Sequence, residues 1–118
     1  MDMIHALDGF SALSQETRLR VFRLLIKAGQ GGMAAGEMAE ALEVRQNTLS
    51  ANLSVLLQAG LVRNQREGRS IRYFADAEGL SALLTFLLEE CCGGRPELCA
   101  PLIETIACGC EGAENGEC

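Results

Sequence analysis

Val44-Arg45-Gln46-Asn47-Thr48-Leu49-Ser50-Ala51-Asn52-Leu53-Ser54-Val55-Leu56-Leu57-Gln58-Ala59-Gly60 is the stretch whose reading decides the fold. Leu49, Leu53, Leu56 and Leu57 recur at i, i+4, i+7 and i+8, which makes one apolar helical face. Asn47 or Thr48 is placed to cap the start of this helix, and Gly60 to end it in a left-handed turn. Asn47, Ser50, Ala51 and Ser54 fall at i, i+3, i+4 and i+7 and form the opposite face, with Arg45 and Gln46 at its entrance. Short polar and methyl groups near a helix N-terminus suit close approach to base edges in a DNA major groove.

The neighbours support that reading. Upstream, Gly36–Glu43 has a short helical pattern with Met38 and Leu42 one turn apart, and Val44-Arg45-Gln46 forms a turn. Two short helices joined by a tight turn are the helix-turn-helix pattern. Downstream, Leu61–Arg66 and Ser70–Ala75 alternate around Glu67-Gly68-Arg69, which predicts a β-hairpin with Arg66, Arg69 and Arg72 at its tip. A basic hairpin directly after a helix-turn-helix is a wing, suited to backbone or minor-groove contact.

Further out, Met3–Leu13 predicts a first helix on Met3, Leu7 and Phe10, with Ile4 alongside and His5 at the surface. Ser14 is expected to cap a second helix that buries Leu19, Phe22 and Ile26 with Val21 and Leu25, opposite the cationic stripe Arg20, Arg23 and Lys27. Gly29–Gly32 is a loop by composition. From Asp76 a long helix carries Leu80, Leu83, Leu84, Leu87 and Leu88, continued by Cys91 and Cys92 and broken at Gly93-Gly94. A short helix is expected from Pro96 to about Ala107, and the rest lacks periodicity. The expected organisation is a mainly α domain with a small β-hairpin over residues 1–107, followed by a flexible cysteine-containing tail over 108–118.

The charge distribution favours DNA although the formal net charge is −6. Residues 14–75 hold nine of the ten basic side chains against five acids, a local charge of +4. The ends hold the other eleven acids and only Arg95. No run of about 18 apolar residues exists, so no membrane span is expected. Met1-Asp2-Met3 opens without a basic region or apolar run, so no secretory signal is expected and the expected compartment is the cytosol. With a single histidine and no nucleophile–base pair, the chain does not read as an enzyme.

Four segments together are similar to the ArsR/SmtB family of winged-helix repressors: Leu13–Arg20, Arg45–Ser50, Leu56–Val62 and Arg66–Tyr73. The similarity runs from residue 4 to about residue 90. It implies a homodimer joined through the first and last helices and bound to a double-stranded operator, from which an inducer releases it. It assigns DNA contact to the second helix of the motif and the wing: Arg45, Gln46, Asn47, Thr48, Ser50, Ala51, Ser54, Arg66, Arg69 and Arg72. Many metal-sensing members carry Cys-x-Cys on the helix before the reading helix, but Gly36–Glu43 contains no cysteine. Zinc-sensing members use Asp and His on the last helix, where this chain has Asp76 and Glu78 but no histidine.

All six cysteines lie between Cys91 and Cys118. The inducer site is therefore expected at Cys91, Cys92 and Cys99, as in arsenical-responsive members with C-terminal cysteines. Cys108, Cys110 and Cys118 form a secondary set. Soft thiolates select soft ions, and trivalent arsenic or antimony accepts three sulfurs in a pyramid. No cofactor is required on this reading. The alternative is a winged-helix regulator whose thiols report oxidation by forming disulfides.

Overall fold

The computed structural model describes the backbone of residues 1–91 and the side chains of 1–88. Contacts divide the chain into two compact units, Met1–Leu83 and Leu84–Cys118. The elements are α1 (Met3–Leu13), α2 (Glu16–Ala28), a 3-10 turn (Gly29–Gly31) and β1 (Met33–Ala34). They continue with α3 (Ala35–Leu42), α4 (Gln46–Gln58), β2 (Val62–Glu67), β3 (Ser70–Ala75) and α5 (Ala77–Cys91). This is the expected mainly helical winged helix-turn-helix. The short helix after Pro96, Cys92, Cys99 and the tail cysteines Cys108, Cys110 and Cys118 lie outside the described residues.

The core of the first unit is built from the leucines of α4. Leu49, Leu53 and Leu56 are fully buried together with Val21, Leu25, Met38, Leu61 and Leu83, and Phe22 is nearly so. Each such side chain contributes about 1.5–3 kcal/mol by leaving water. Helix α4 ends in a Schellman turn. Gly60 takes φ +78°. The Gly60 N–H donates to the Leu57 carbonyl (3.1 Å) and the Leu61 N–H to the Leu56 carbonyl (3.1 Å). Leu61 and Leu56 are both buried, the apolar accompaniment of this turn. The start of α4 differs from expectation: Arg45 is the N-cap and makes no side-chain cap bond. Asn47 Oδ1 instead accepts from the N–H of Thr48, inside the helix.

Helix α1 is turned inside out relative to its apolar pattern. Ala6, Gly9 and Ala12 face inward, while Met3, Ile4 and Leu7 are 58%, 70% and 58% exposed. Small residues face the body because the helices come close: a Cβ on Gly9 would lie 3.1 Å from Leu83. Asp2 caps α1, accepting from the His5 N–H at 2.9 Å and from its ring at 2.6 Å. These two bonds, the backbone one foremost, hold the Asp2 carboxyl below its ordinary pKa. His5 is exposed, as expected.

Helix α2 also departs from its pattern. Its N-cap is Gln15, whose side chain accepts from the Arg18 N–H, while Ser14 closes α1 by donating to the Ser11 carbonyl. Both residues can satisfy orphan helix-end groups, and the chain turns one residue later than Ser14 alone would dictate. The buried face is Val21, Phe22 and Leu25, and Leu19 and Ile26 stand 42% and 46% exposed.

The sheet has three antiparallel strands in the order β1-β3-β2. Met33 pairs with Tyr73 and Ala34 with Arg72. The sequence reading named no strand between the Gly29–Gly32 loop and α3, since two residues carry no periodicity. The hairpin register runs from Val62↔Ala75 to Glu67↔Ser70, leaving the two-residue turn Gly68-Arg69 with Gly68 at φ +65°. Strand β2 is an edge, and beyond buried Val62 all its residues are exposed.

The close approach of α5 to the end of α4 yields a stability test. A Cβ on Gly79 would collide with the Gly60 carbonyl oxygen. Helix propensity alone favours alanine over glycine by about 1 kcal/mol. Contact with a backbone carbonyl opposes it, and overpacking costs about 1–3 kcal/mol. Gly79→Ala is expected to lower the melting temperature followed by circular dichroism. A melting temperature equal to or above that of the parent would show that α5 can retreat from the turn at no cost.

Candidate nucleic-acid interface

The helix-turn-helix is α3, the turn Glu43-Val44-Arg45 and α4. Glu43 stands in the left-handed region at φ +56°, the only non-glycine to do so among the described residues. Its N–H reaches the Glu40 carbonyl (3.3 Å), and the Val44 N–H reaches the Ala39 carbonyl (3.1 Å). This tight closure lets α4 start three residues later with its leucines on the core and the opposite side in solvent. Arg45, Gln46, Asn47, Thr48, Ser50, Ala51 and Ser54 are all exposed, so the seven expected α4-side residues share the outer surface. The Gln46 amide lies beside Gly36 of α3, at the seam between the two helices.

In the wing, Arg66 and Arg69 are exposed and make no ion pair among the described residues. Arg72 is a correction. It was expected at the tip but lies in the middle of β3, two pairs back from Glu67↔Ser70, opposite Gln65 on one side and Ala34 on the other. Its Nε donates to the Gly31 carbonyl (2.8 Å) and its Nη2 to the Gly32 carbonyl (3.2 Å). The same Nη2 lies 3.5 Å from a Glu37 carboxylate oxygen, which also accepts from the Ala34 N–H (2.8 Å). Arg72 therefore ties β3 to the start of α3 and sets the wing against the helix-turn-helix. The physical reason lies in the strand's period of two: Arg72 shares a face with Phe74, which is buried. Arg63 is occupied as well, its guanidinium lying 4.4 Å from the Phe74 ring centre.

Sequence reasoning also missed Arg18, which it counted only as part of the basic middle. Arg18 Nε donates to the Ala12 carbonyl at the end of α1 (2.7 Å), and Nη1 donates to Asn52 Oδ1 on α4 (3.2 Å). A signal was available: Arg18 precedes Val21, Phe22 and Leu25 at i+3, i+4 and i+7. A charged residue that extrapolates a buried stripe must bring its head to a partner.

No group of three or more His, Cys, Asp or Glu among the described residues could hold a metal ion. The expected thiolate set falls where no side chain is described; Cys91 is known only as the last residue of α5.

Comparison with known proteins agrees with this geometry. A helix-turn-helix domain family matches residues 13–65. The uncharacterized HTH-type transcriptional regulator YbzH of Bacillus subtilis is 30% identical over 96 residues, 71% of this chain and 96% of that one. A putative arsenical resistance operon repressor of Halobacterium salinarum is 36% identical over 77 residues, 65% of this chain and 58% of its own length. A homodimeric winged helix-turn-helix DNA-binding domain from Mycobacterium bovis, a possible ArsR-family regulator, superposes with a TM-score of 0.59 at 30% identity. The match covers 79% of this chain and 86% of that one. Fold and relatives together define a DNA-binding transcription regulator of the winged helix-turn-helix class. The chain belongs to the ArsR/SmtB family.

The two wing arginines should separate in experiment. Arg69→Ala is expected to leave thermal stability unchanged and to lower the magnitude of the salt slope of DNA binding by about one, as for one lost phosphate contact. Arg72→Ala is expected to destabilise the fold by roughly 1–3 kcal/mol, through carbonyls left without their charged donor. Denaturant unfolding and anisotropy titrations at several salt concentrations measure both, and the reverse assignment would move Arg72 to the DNA.

Proposed function

We propose that this regulator is a homodimeric repressor that reads its operator with the outer face of α4, braces it with Arg66 and Arg69, and is released by trivalent arsenic or antimony. The observation that carries the DNA-reading half is the exposed, uncharged face of α4. Gln46, Asn47 and Ser50 offer amide and hydroxyl groups to base edges, and Ala51 offers a methyl. Arg45 supplies a cation at the entrance for a phosphate or a guanine. Amide and guanidinium groups pair bidentately with adenine and guanine edges.

The dimer is supported by α1. A helix that turns Ala and Gly inward and Met3, Ile4 and Leu7 outward leaves apolar surface to be covered, and a second copy covers it. Two reading helices then stand about 34–36 Å apart, one turn of DNA.

The sensing half rests on donor chemistry. Cys91, Cys92 and Cys99 offer three thiolates, the set that suits a pyramidal trivalent metalloid and disfavours hard cations. The name of the Halobacterium relative points the same way. Because thiolates are the ligands, binding releases protons and strengthens as pH rises. A reducing cytosol keeps such thiols available.

Fluorescence anisotropy with operator DNA, with and without arsenite under reducing conditions, tests the proposal. Gln46→Ala or Ser50→Ala is expected to cost about 1–3 kcal/mol on the operator and little on unrelated DNA. Cys91→Ser is expected to bind the operator normally and to resist release by arsenite. Replacing Cys108, Cys110 and Cys118 together should change little. Release by peroxide but not by arsenite would make the thiols oxidation sensors instead.

A further inference from the structure

We infer that Arg18 is a positioning residue for DNA reading: it fixes α4 against the end of α1, and operator selectivity depends on it although it touches no DNA. The observation is a continuous chain of bonds across three helices. The Ala12 carbonyl of α1 accepts from Arg18 Nε (2.7 Å), and Asn52 Oδ1 of α4 accepts from Arg18 Nη1 (3.2 Å). Asn52 Nδ2 then donates to the Thr48 carbonyl in the first turns of α4 (3.0 Å). Arg18 and Asn52 are half-buried, whereas Arg45, Arg66 and Arg69 are exposed. The guanidinium is thus directed into the protein and not toward a phosphate.

The physical need for such a bond follows from how α4 is otherwise held. Leu49, Leu53 and Leu56 bury it, but apolar contact is non-directional and tolerates small rotations of a helix about its axis. Hydrogen bonds to base edges do not tolerate them, since their distances span only about 2.7–3.2 Å. Arg18 supplies the missing directional restraint. It acts on the same turns of α4 that present Asn47, Ser50 and Ala51. The other end of the chain of bonds is α1, the helix whose outer face carries Met3, Ile4 and Leu7. The setting of α1 is thereby passed directly to the reading helix.

This inference rests on α4 being the reading helix, and the experiment keeps the two apart. Operator and unrelated DNA are titrated by anisotropy at several salt concentrations with the full-length protein and Arg18→Met, Asn52→Leu, the double variant and Gln46→Ala. Circular dichroism melts establish that each variant is folded at the titration temperature. Arg18→Met is expected to lose about tenfold in operator affinity, equivalent to ~1.4 kcal/mol. Unrelated DNA should move by less than about twofold and the salt slope should not change. Asn52→Leu, which removes no charge, should give the same pattern, and the double variant should be no worse than the worse single one. If Arg18→Met does not fold, Asn52→Leu and Asn52→Asp carry the test. The aspartate keeps an acceptor for Arg18 and should recover most of the selectivity.

Equal losses on both DNAs with a slope lowered by about one would make Arg18 a phosphate contact and overturn the inference. Unchanged operator binding in folded Arg18 and Asn52 variants, while Gln46→Ala weakens it, would reduce Arg18 to a plain structural brace. Unchanged binding in all of them, Gln46→Ala included, would overturn the reading of α4 and this inference with it.

Discussion

The turn at the end of α4 is the constraint on which the rest of the first unit depends. Gly60 takes a positive φ so that its own N–H and that of Leu61 can return to the last carbonyls of the helix. That places Leu61 in the core and starts β2 one residue later. The Leu61 carbonyl then accepts from the Asp76 N–H (2.8 Å), where β3 gives way to α5, and Asp76 Oδ1 accepts from the Gly79 N–H (3.1 Å). Gly79 has no side chain because the Gly60 carbonyl occupies that space. One turn of chain therefore sets the end of α4, the root of the wing and the start of α5. Close packing leaves little slack between them.

Much of this was legible in the sequence. The leucine spacing of α4 identified its buried side, and with it the exposed side that carries Gln46, Asn47, Ser50, Ala51 and Ser54. Gly60 and Gly68 marked the turns that required them. What escaped the pattern has physical reasons. Period counting identifies apolar positions but not which of two faces turns inward, and in α1 close helix packing selected the alanines and glycine over the larger residues. Helix caps compete locally, and Gln15 displaced Ser14 as the cap of α2. Strand β1 is two residues long and exists only because β3 offers it an edge.

The arginines show the same limit in electrostatic terms. A count over the sequence gives a basic middle, yet the structure divides those charges by task. Arg18 and Arg72 satisfy backbone carbonyls, and Arg63 lies against Phe74. Arg20 is 3.9 Å from Glu16 in an exposed pair of little energetic weight. Near α4 and the wing, Arg45, Arg66 and Arg69 remain exposed. The charge that holds the domain together and the charge available to a polyanion are different residues, and only partner geometry separates them.

The spareness of that outward charge bears on how such a regulator finds its target. Non-specific attachment to DNA is almost wholly electrostatic. A chain of formal charge −6 with few outward cations near α4 gives that term little to work with. Chromosomal DNA offers a vast excess of wrong sites, which normally sequester most copies of a DNA-binding protein. Weak attachment of that kind leaves a larger share of molecules free in solution. A regulator with this distribution of charge would need fewer copies to fill one target site than one held to DNA by many surface cations.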